Sequence, residues 1–402
     1  MSYEDIICDA NNLYKAYKAS IKGSQWKESS QKFELHYLRN IAKLQDDLRN
    51  RTYKSSPTRE FVLKERGRER LISTNKIRDR VVRHVLVDEI LGPAIRKKVI
   101  YTNCASQKGR GISMQQDHFE QDLHEYYRLY GSNDGYILFG DYRKFYDNII
   151  HEYAKEEFLE LVDHDEYIDW LLTEIFSSFE IDVSYMDDDE FAVCLFTVFN
   201  KIEYRKLPSE LLTGDKMMKK SVNIGDQLSQ QVGIYYPNTI DQYIKTVKAM
   251  PFYGRYSDDW YMMYPDKAVL EDLLTDICKM AESRGMHVNT KKTRIVKISG
   301  TYKFLQTKYS LTDSGKVIKR INPKKVSKER RKLKKLKTKM DYGEIPYENI
   351  EDSFKGWMGS QYKNMSKQQR QHMIELYEEL FNKDICIANG KMLVTNRDQG
   401  DQ

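Results

Sequence analysis

Cysteine is sparse in this 402-residue chain, and the five present (Cys8, Cys104, Cys194, Cys278 and Cys386) are odd in number, far apart and never spaced as Cys-x-x-Cys. Neither a disulfide framework nor a zinc site is indicated, and reduced, buried thiols are expected. Also missing is any apolar run of membrane-spanning length, and the opening Met-Ser-Tyr-Glu-Asp is not a basic region followed by an apolar one. The expectation is a cytoplasmic protein with no membrane partner. The glycine-containing basic loop Lys108-Gly-Arg-Gly111 is too short to count by itself as a phosphate cradle.

What is present is charge. Hydrophobic residues make up 40% of the chain and charged residues 31%, which describes a globular protein long enough for two or three domains. The net charge of +6 is unevenly spread. Residues 316–339 hold thirteen Lys or Arg against one acid, Glu329, an excess of twelve that leaves about −6 for everything else. A block of this kind is the footprint of a polyanion such as a nucleic-acid backbone, although a solvated helix face would look the same in isolation.

Periodicity places the elements. Leu35, Leu38, Ile41, Leu44 and Leu48 predict an amphipathic helix ending near Asn50, with an earlier helix over about residues 4–21. Residues 60–64 and 69–72 read as strands joined through Arg66-Gly-Arg68, a basic hairpin whose Lys64, Arg68 and Arg70 could close over a triphosphate. Residues 77–99 form a helix with Val81, Val82, Val85, Leu86, Ile90 and Leu91 inward. Residues 163–179 are expected to be helical within a less informative stretch, about 152–222, that reads as an insertion. A further helix over 366–381 carries Met373, Ile374, Tyr377 and Leu380 on one side, for packing or self-association into a homo-oligomer.

Three stretches carry chemistry. In Tyr136-Ile-Leu-Phe-Gly-Asp-Tyr-Arg-Lys-Phe-Tyr146 an apolar strand delivers Asp141 at its end, and a turn then presents Phe145 and Tyr146. An unpaired buried carboxylate is costly, so Asp141 needs a partner. In Phe252-Tyr-Gly-Arg-Tyr-Ser-Asp-Asp-Trp-Tyr-Met-Met-Tyr264 two short strands meet at a turn holding Asp258 and Asp259. Neighbouring side chains on a straight strand point to opposite faces, so two adjacent aspartates serve one site only where the chain turns. Repelling carboxylates there have raised pKa values unless a cation sits between them, and hard oxygen ligands select magnesium, or manganese in its place. With Asp141 they would complete a three-carboxylate site for two ions about 3.5–4 Å apart. Between these stretches, Ile224-Gly-Asp-Gln-Leu-Ser-Gln230 puts Gly225 ahead of a helix, where backbone can approach a ligand and Ser229 and Gln230 offer hydrogen bonds. Tyr185-Met-Asp-Asp188 repeats the Tyr-x-Asp-Asp pattern, but it runs on into Asp189 and Glu190 and reads as an exposed acidic loop.

In order, the Asp-x-x-x-Phe-Tyr strand end, the Ile-Gly-x-x-x-Ser-Gln loop and the Tyr-x-Asp-Asp hairpin resemble the palm segments of reverse transcriptases, especially bacterial ones related to group II introns, retrons and diversity-generating retroelements. Arg70-Leu-Ile-Ser73 with Ile77-Arg-Asp-Arg-Val-Val82 looks like the family's fingers, and Gly285-Met-His-Val-Asn-Thr-Lys-Lys-Thr293 like the segment with a lysine, Lys292, near the leaving phosphates. Phe304-Leu-Gln306 sits where a primer-grip hairpin is expected, and the basic helix over 324–340 where a thumb would track template and primer. The resemblance covers about residues 35–310, and the order of its segments excludes the Tyr185 copy.

The resemblance implies an α+β, right-hand polymerase: N-terminal helices and fingers over 1–135, an antiparallel-sheet palm over 136–310, and a basic helical thumb with C-terminal helices over 311–402. It makes Asp141, Asp258 and Asp259 the catalytic metal ligands. Lys64, Arg68, Arg70, Tyr142, Tyr146, Gly225, Gln230 and Lys292 would surround the nucleotide, with Tyr146 where an aromatic ring excludes a ribose 2′-hydroxyl. Ser229, Phe304, Lys324, Lys325, Arg330, Arg331, Lys334 and Lys335 would touch nucleic acid. Family members usually carry proline where this chain has Asn223. The implied partners are an RNA template, the DNA product and dNTPs. With no endonuclease, integrase or RNase H segment evident, the favoured setting is antiphage defence with a dedicated non-coding RNA, ahead of a diversity-generating element. An RNA-dependent RNA polymerase or a non-catalytic RNA-binding scaffold are the other classes to weigh.

Overall fold

The computed structural model describes residues 2–65, 67–204, 206–388 and 391–397, apart from the side chains of Glu65, Arg68, Ala388 and Lys391. The fold is mixed α and β, and it divides into two compact units, Met1–Phe119 with Gly135–Ile295, and Glu120–Asp134 with Val296–Gln402. No helix among the described residues is long and apolar enough to cross a membrane.

The first unit is built on a four-stranded sheet in the order Phe252–Tyr256, Asp259–Tyr264, Tyr136–Asp141, Arg294–Lys297, the last of these being the strand on which the chain leaves the unit. The first three strands pair antiparallel, with Tyr256 opposite Asp259, Tyr136 opposite Tyr264 and Asp141 opposite Asp259. Both faces of these strands are covered, which is why they read as nearly continuous apolar runs. Leu138, Tyr253, Trp260 and Met262 belong to the main core, while Phe139 and Tyr261 pack on Phe119. A Cβ at Gly140 would lie 2.0 Å from the Trp260 indole, so the residue before Asp141 has to be glycine for that ring to cross the strand.

Helices close over the sheet, with several departures from the expected pattern. The N-terminal helix is two, Tyr3–Ile7 and Ala10–Ile21, because Asp9 accepts from the Asn12 amide and caps the second. The next leucine-rich helix starts only at Tyr37, since the backbone breaks at His36; Ile41, Leu44 and Leu48 are buried, but Leu35 and Leu38 are exposed. Ile77–Val85 continues through a wide π turn, Leu86–Leu91, into Gly92–Lys98, with all six expected apolar residues buried. The helix expected from residue 163 begins at Glu166, after two left-handed residues, Asp163 and His164. In the Tyr185 copy the aspartates are exposed as expected, but Tyr185 and Met186 are half-buried against a small core, and the segment is the entry to a helix rather than a loop throughout: Asp187 caps Asp188–Cys194. The basic hairpin forms as Arg59–Glu65 paired with Arg68–Thr74, and Arg66 lies outside the described residues.

In the second unit the strands Tyr302–Phe304, Thr307–Leu311 and Val317–Ile321 make an antiparallel sheet. Asn322 caps the basic helix Pro323–Asp341, where proline suits the first turn because its missing N–H has no partner to lose. That helix packs with Tyr347–Gln361 and Lys367–Phe381 around Leu333, Phe354, Met373 and Tyr377, with the Phe354 and Tyr377 rings stacked at 4.3 Å. The helix over 367–381 therefore spends its apolar side on intramolecular packing. After this helix, where further helix is expected, Lys383–Ala388 and Lys391–Asn396 form a hairpin. Cys386 on it is exposed and Cys278 is half-buried, so burial holds only for Cys8, Cys104 and Cys194.

Candidate active site

The turn between Phe252–Tyr256 and Asp259–Tyr264 has two residues, Ser257 and Asp258, and Ser257 takes a left-handed φ of 57°. Asp259 opens the second strand directly opposite Asp141, and the ladder continues one step further because the Tyr142 amide donates to the Asp258 carbonyl at 3.3 Å. One antiparallel pairing thus brings two distant sequence segments to a single point.

Asp141 is 4% exposed and its carboxylate is satisfied from a third segment. Asn289 Nδ2 donates to Oδ1 at 2.9 Å and Lys292 Nζ to Oδ2 at 2.5 Å. The Asn289 amide also donates to the Asp141 carbonyl at 2.7 Å, which fixes the segment on the end of the strand. Asp258 is half-buried, and its carboxyl is pushed above the ordinary range by burial and then by the charge of Asp141, against Lys292 and Arg70, which pull it down. Two carboxylates that repel each other in a partly desolvated corner favour a cation between them. Asp259 is the exposed member. Among the described residues, no three His, Cys, Asp or Glu side chains are gathered closely enough to hold a metal ion, so what is assembled is the pair Asp141 and Asp258 with Asp259 beside it.

The other expected residues differ in where they lie. The charge of Arg70 acts on Asp258 and draws its pKa down, in the same sense as Lys292. Tyr146 sits on the short helix Phe145–Asn148 with its hydroxyl over the bare Cα of Gly233, and burial raises its pKa while a hydrogen bond with Ser257 opposes the shift. Gly225 has a φ of +106°, and a Cβ there would come within 3.1 Å of the Ser73 carbonyl, so glycine is needed for the loop to lie against the basic hairpin. Gln230 is exposed. Lys64, by contrast, is highly exposed and paired with Glu69 at 3.2 Å, its neighbour across the hairpin. The Arg68 side chain lies outside the described residues.

Three residues expected to touch a ligand are buried instead. Tyr142 is packed in the core, where its ring stacks on Phe145 and burial raises its pKa. Ser229 is 1% exposed, inside the helix Gln227–Tyr235, with no partner for its hydroxyl among the described residues. Phe304 is buried at the end of its strand, before the two-residue turn Leu305-Gln306, whose φ values are 41° and 70°. In each case strand or helix phase, set by packing, turned inward a side chain that sequence alone leaves undirected. On the basic helix Lys324, Arg330, Arg331, Lys334 and Lys335 are exposed, and Lys325 is half-buried.

Two supporting residues had no sequence signal beyond their neighbourhood. Asn289 looks like any polar loop residue. Arg255 looks like a strand charge, yet it is fully buried, with its guanidinium engaged by Asp241 and by the carbonyls of Gly233, Ile234 and Ser257. It ties the aspartate turn to the helix behind the Gly225 loop.

No family model matches the chain and no curated protein sequence is similar to it. Among solved structures it is similar to telomerase from Candida albicans in complex with a fragment of telomeric RNA, at 13% identity and TM-score 0.43, covering 72% of this chain and 50% of that one. It is also similar to apo telomerase from Candida tropicalis, at 11% identity and TM-score 0.44, covering 65% of this chain and 47% of that one. A form of the latter truncated from the C-terminal domain gives 13% identity and TM-score 0.42, with 71% of this chain and 60% of that one covered. The chain thus spans about half the length of the structures it matches.

Proposed function

We propose that the protein is an RNA-directed DNA polymerase that extends a primer by nucleotidyl transfer. The observation that carries the reading is the pairing of Tyr136–Asp141 with Asp259–Tyr264, which sets buried Asp141 beside the Ser257-Asp258 turn with Lys292 on its outer oxygen. The reverse-transcriptase-like order of the sequence segments supports the same conclusion. Asp141 and Asp258, with Asp259 beside them, would hold magnesium or manganese. Divalent cations bound there would activate the primer 3′-hydroxyl and neutralise the departing pyrophosphate. Arg70 and Lys292 supply fixed positive charge for the triphosphate, and the site works chiefly by positioning and electrostatics. Tyr146 stands where a ribose 2′-hydroxyl would be refused, which selects dNTPs. The exposed cations of the basic helix contact phosphates of the template and product strands. The proposed setting is antiphage defence with a structured non-coding RNA as template.

The test is incorporation of each labelled dNTP and NTP by the purified protein with its copurifying RNA, and on a defined primed RNA template, with magnesium. Asp141→Asn and Asp258→Asn run beside the wild type. Deoxynucleotide incorporation that disappears in both variants is expected. No incorporation by the wild type on either template, with RNA still bound, overturns the reading in favour of a scaffold; equal use of NTPs overturns it in favour of an RNA polymerase.

A further inference from the structure

The stretch between the catalytic segments carries a lysine whose surroundings are unlike those of the chain's exposed cations. Lys201 opens the short helix Lys201–Tyr204 and is 8% exposed. Its Nζ donates to Asn223 Oδ1 at 2.6 Å and lies 3.3 Å from Glu60 Oε1. Glu60 Oε1 also accepts from Ser73 Oγ at 3.1 Å, and the Ser73 amide donates to the Ile224 carbonyl at 3.1 Å. Since Ile224 follows Asn223, these contacts close a ring that runs from Lys201 through the loop ahead of Gly225, across to the basic hairpin and back. A buried ammonium needs such partners, and removing it takes a cation from the Glu60 carboxylate and a donor from the Asn223 amide oxygen.

The ring is anchored on the turn that carries Tyr146. The Lys201 amide donates to Asp147 Oδ2 at 3.3 Å, and Asn148 exchanges hydrogen bonds with the backbone of Phe199, accepting from its N–H at 2.8 Å and donating to its carbonyl at 3.2 Å. The Val222 amide in turn donates to the Tyr146 carbonyl at 2.9 Å. Three elements of the nucleotide site therefore meet around one residue: the Gly225 loop and the hairpin bearing Arg70 at the Lys201 side chain, and the Tyr146 turn at its backbone amide. Arg70 lies three residues from Ser73 on the same strand, a separation of roughly 10 Å, so a change of attitude at Ser73 moves the guanidinium relative to Asp258.

We propose that Lys201 is a positioning residue for the incoming nucleotide, setting the hairpin and the Gly225 loop at the attitude in which Arg70 and Tyr146 meet the triphosphate and the sugar. This deepens the polymerase reading and rests on it. The insertion, in this account, is the clamp that holds the nucleotide site together from behind.

The test compares wild type, Lys201→Met and Glu60→Gln, the second variant keeping the side-chain shape while weakening the same ring from the hairpin side. In steady-state incorporation both variants should raise the KM for dNTP by about tenfold and leave kcat within about twofold, the size expected for losing a charge-assisted hydrogen bond. A purely structural role would instead lower kcat and RNA binding together at unchanged KM, and that pattern overturns the proposal. Hydrogen exchange at the Ser73 amide is read in parallel and requires no activity. Faster exchange there in Lys201→Met than in wild type supports the clamp, and unchanged protection overturns it. A wild type that incorporates nothing sinks the polymerase reading, while the exchange result still decides whether Lys201 holds the hairpin.

Discussion

Replacing Arg255 by methionine should be among the most damaging single changes in the first unit. The guanidinium and the Asp241 carboxylate are both fully buried, with Nε 2.9 Å from each carboxylate oxygen and Nη2 2.6 Å from Oδ2, and Tyr253 adds its hydroxyl at 2.5 Å. Methionine leaves the carboxylate uncompensated and strips donors from the carbonyls of Gly233, Ile234 and Ser257. Breaking a buried pair from one side costs about 3–5 kcal/mol, whereas replacing all its members by apolar groups is often close to neutral. Urea unfolding of Arg255→Met should therefore show a loss of about 3–5 kcal/mol, and the triple variant Arg255→Met, Asp241→Leu, Tyr253→Phe should recover at least about half of it. Activity should not return with stability. The Ser257 carbonyl, one residue from Asp258, has no anchor in either protein, so nucleotide incorporation should stay depressed in the triple variant. A single variant that loses less than about 1 kcal/mol, or a triple variant as unstable as the single, would refute the account of this network.

Asp258→Asn should abolish incorporation yet stabilise the metal-free protein. Burial and Asp141 raise the Asp258 pKa, so the folded state binds the extra proton and wild-type stability falls as pH rises from the ordinary value of 3.8 through the raised one. The stability gap between variant and wild type should widen across that window in unfolding scans at stepped pH, and magnesium should raise the melting temperature of wild type only. A gap independent of pH would contradict the repulsion argument. Gly140→Ala places a methyl 2.0 Å from Trp260 and should cost about 1–3 kcal/mol or more in urea unfolding, with Trp260 fluorescence shifted; an unperturbed spectrum would count against the packing described. Alanine at Arg330, Arg331, Lys334 and Lys335 should flatten the salt dependence of RNA binding, the slope of log K against log salt falling by about 0.7–0.9 for each phosphate that is no longer neutralised. An unchanged slope would remove the basic helix from the interface.

Much of the candidate site could be read before any fold was known. Asp141, Asp258 and Arg70 were legible because an apolar strand ending in aspartate, an Asp-Asp turn and a charged hairpin announce themselves locally. The second Tyr-x-Asp-Asp copy was separable by its acidic continuation, and the structure leaves its aspartates exposed on the insertion. Direction was harder. Ser229, Tyr142 and Phe304 stand in segments that were correctly placed, but which way a side chain faces depends on what packs against it, and all three face inward. The break at His36 and the widened turn through Leu86–Leu91 are backbone features that the spacing of apolar residues does not express.

The sequence by itself determined the α+β class, the main helices and strands of the first unit, the concentration of cations around one helix and which carboxylates to look at. Those are properties of local pattern, where period, turn chemistry and charge act over a few residues. Only the tertiary structure decided who meets whom. Asn289 and Lys292 on Asp141, Arg255 under the aspartate turn with Asp241, and Lys201 between Glu60 and Asn223 pair side chains that stand from about a dozen to more than a hundred residues apart. Such pairings form because a buried charge must find a partner wherever the fold brings one, and a chain read in order does not say which distant residue will be there.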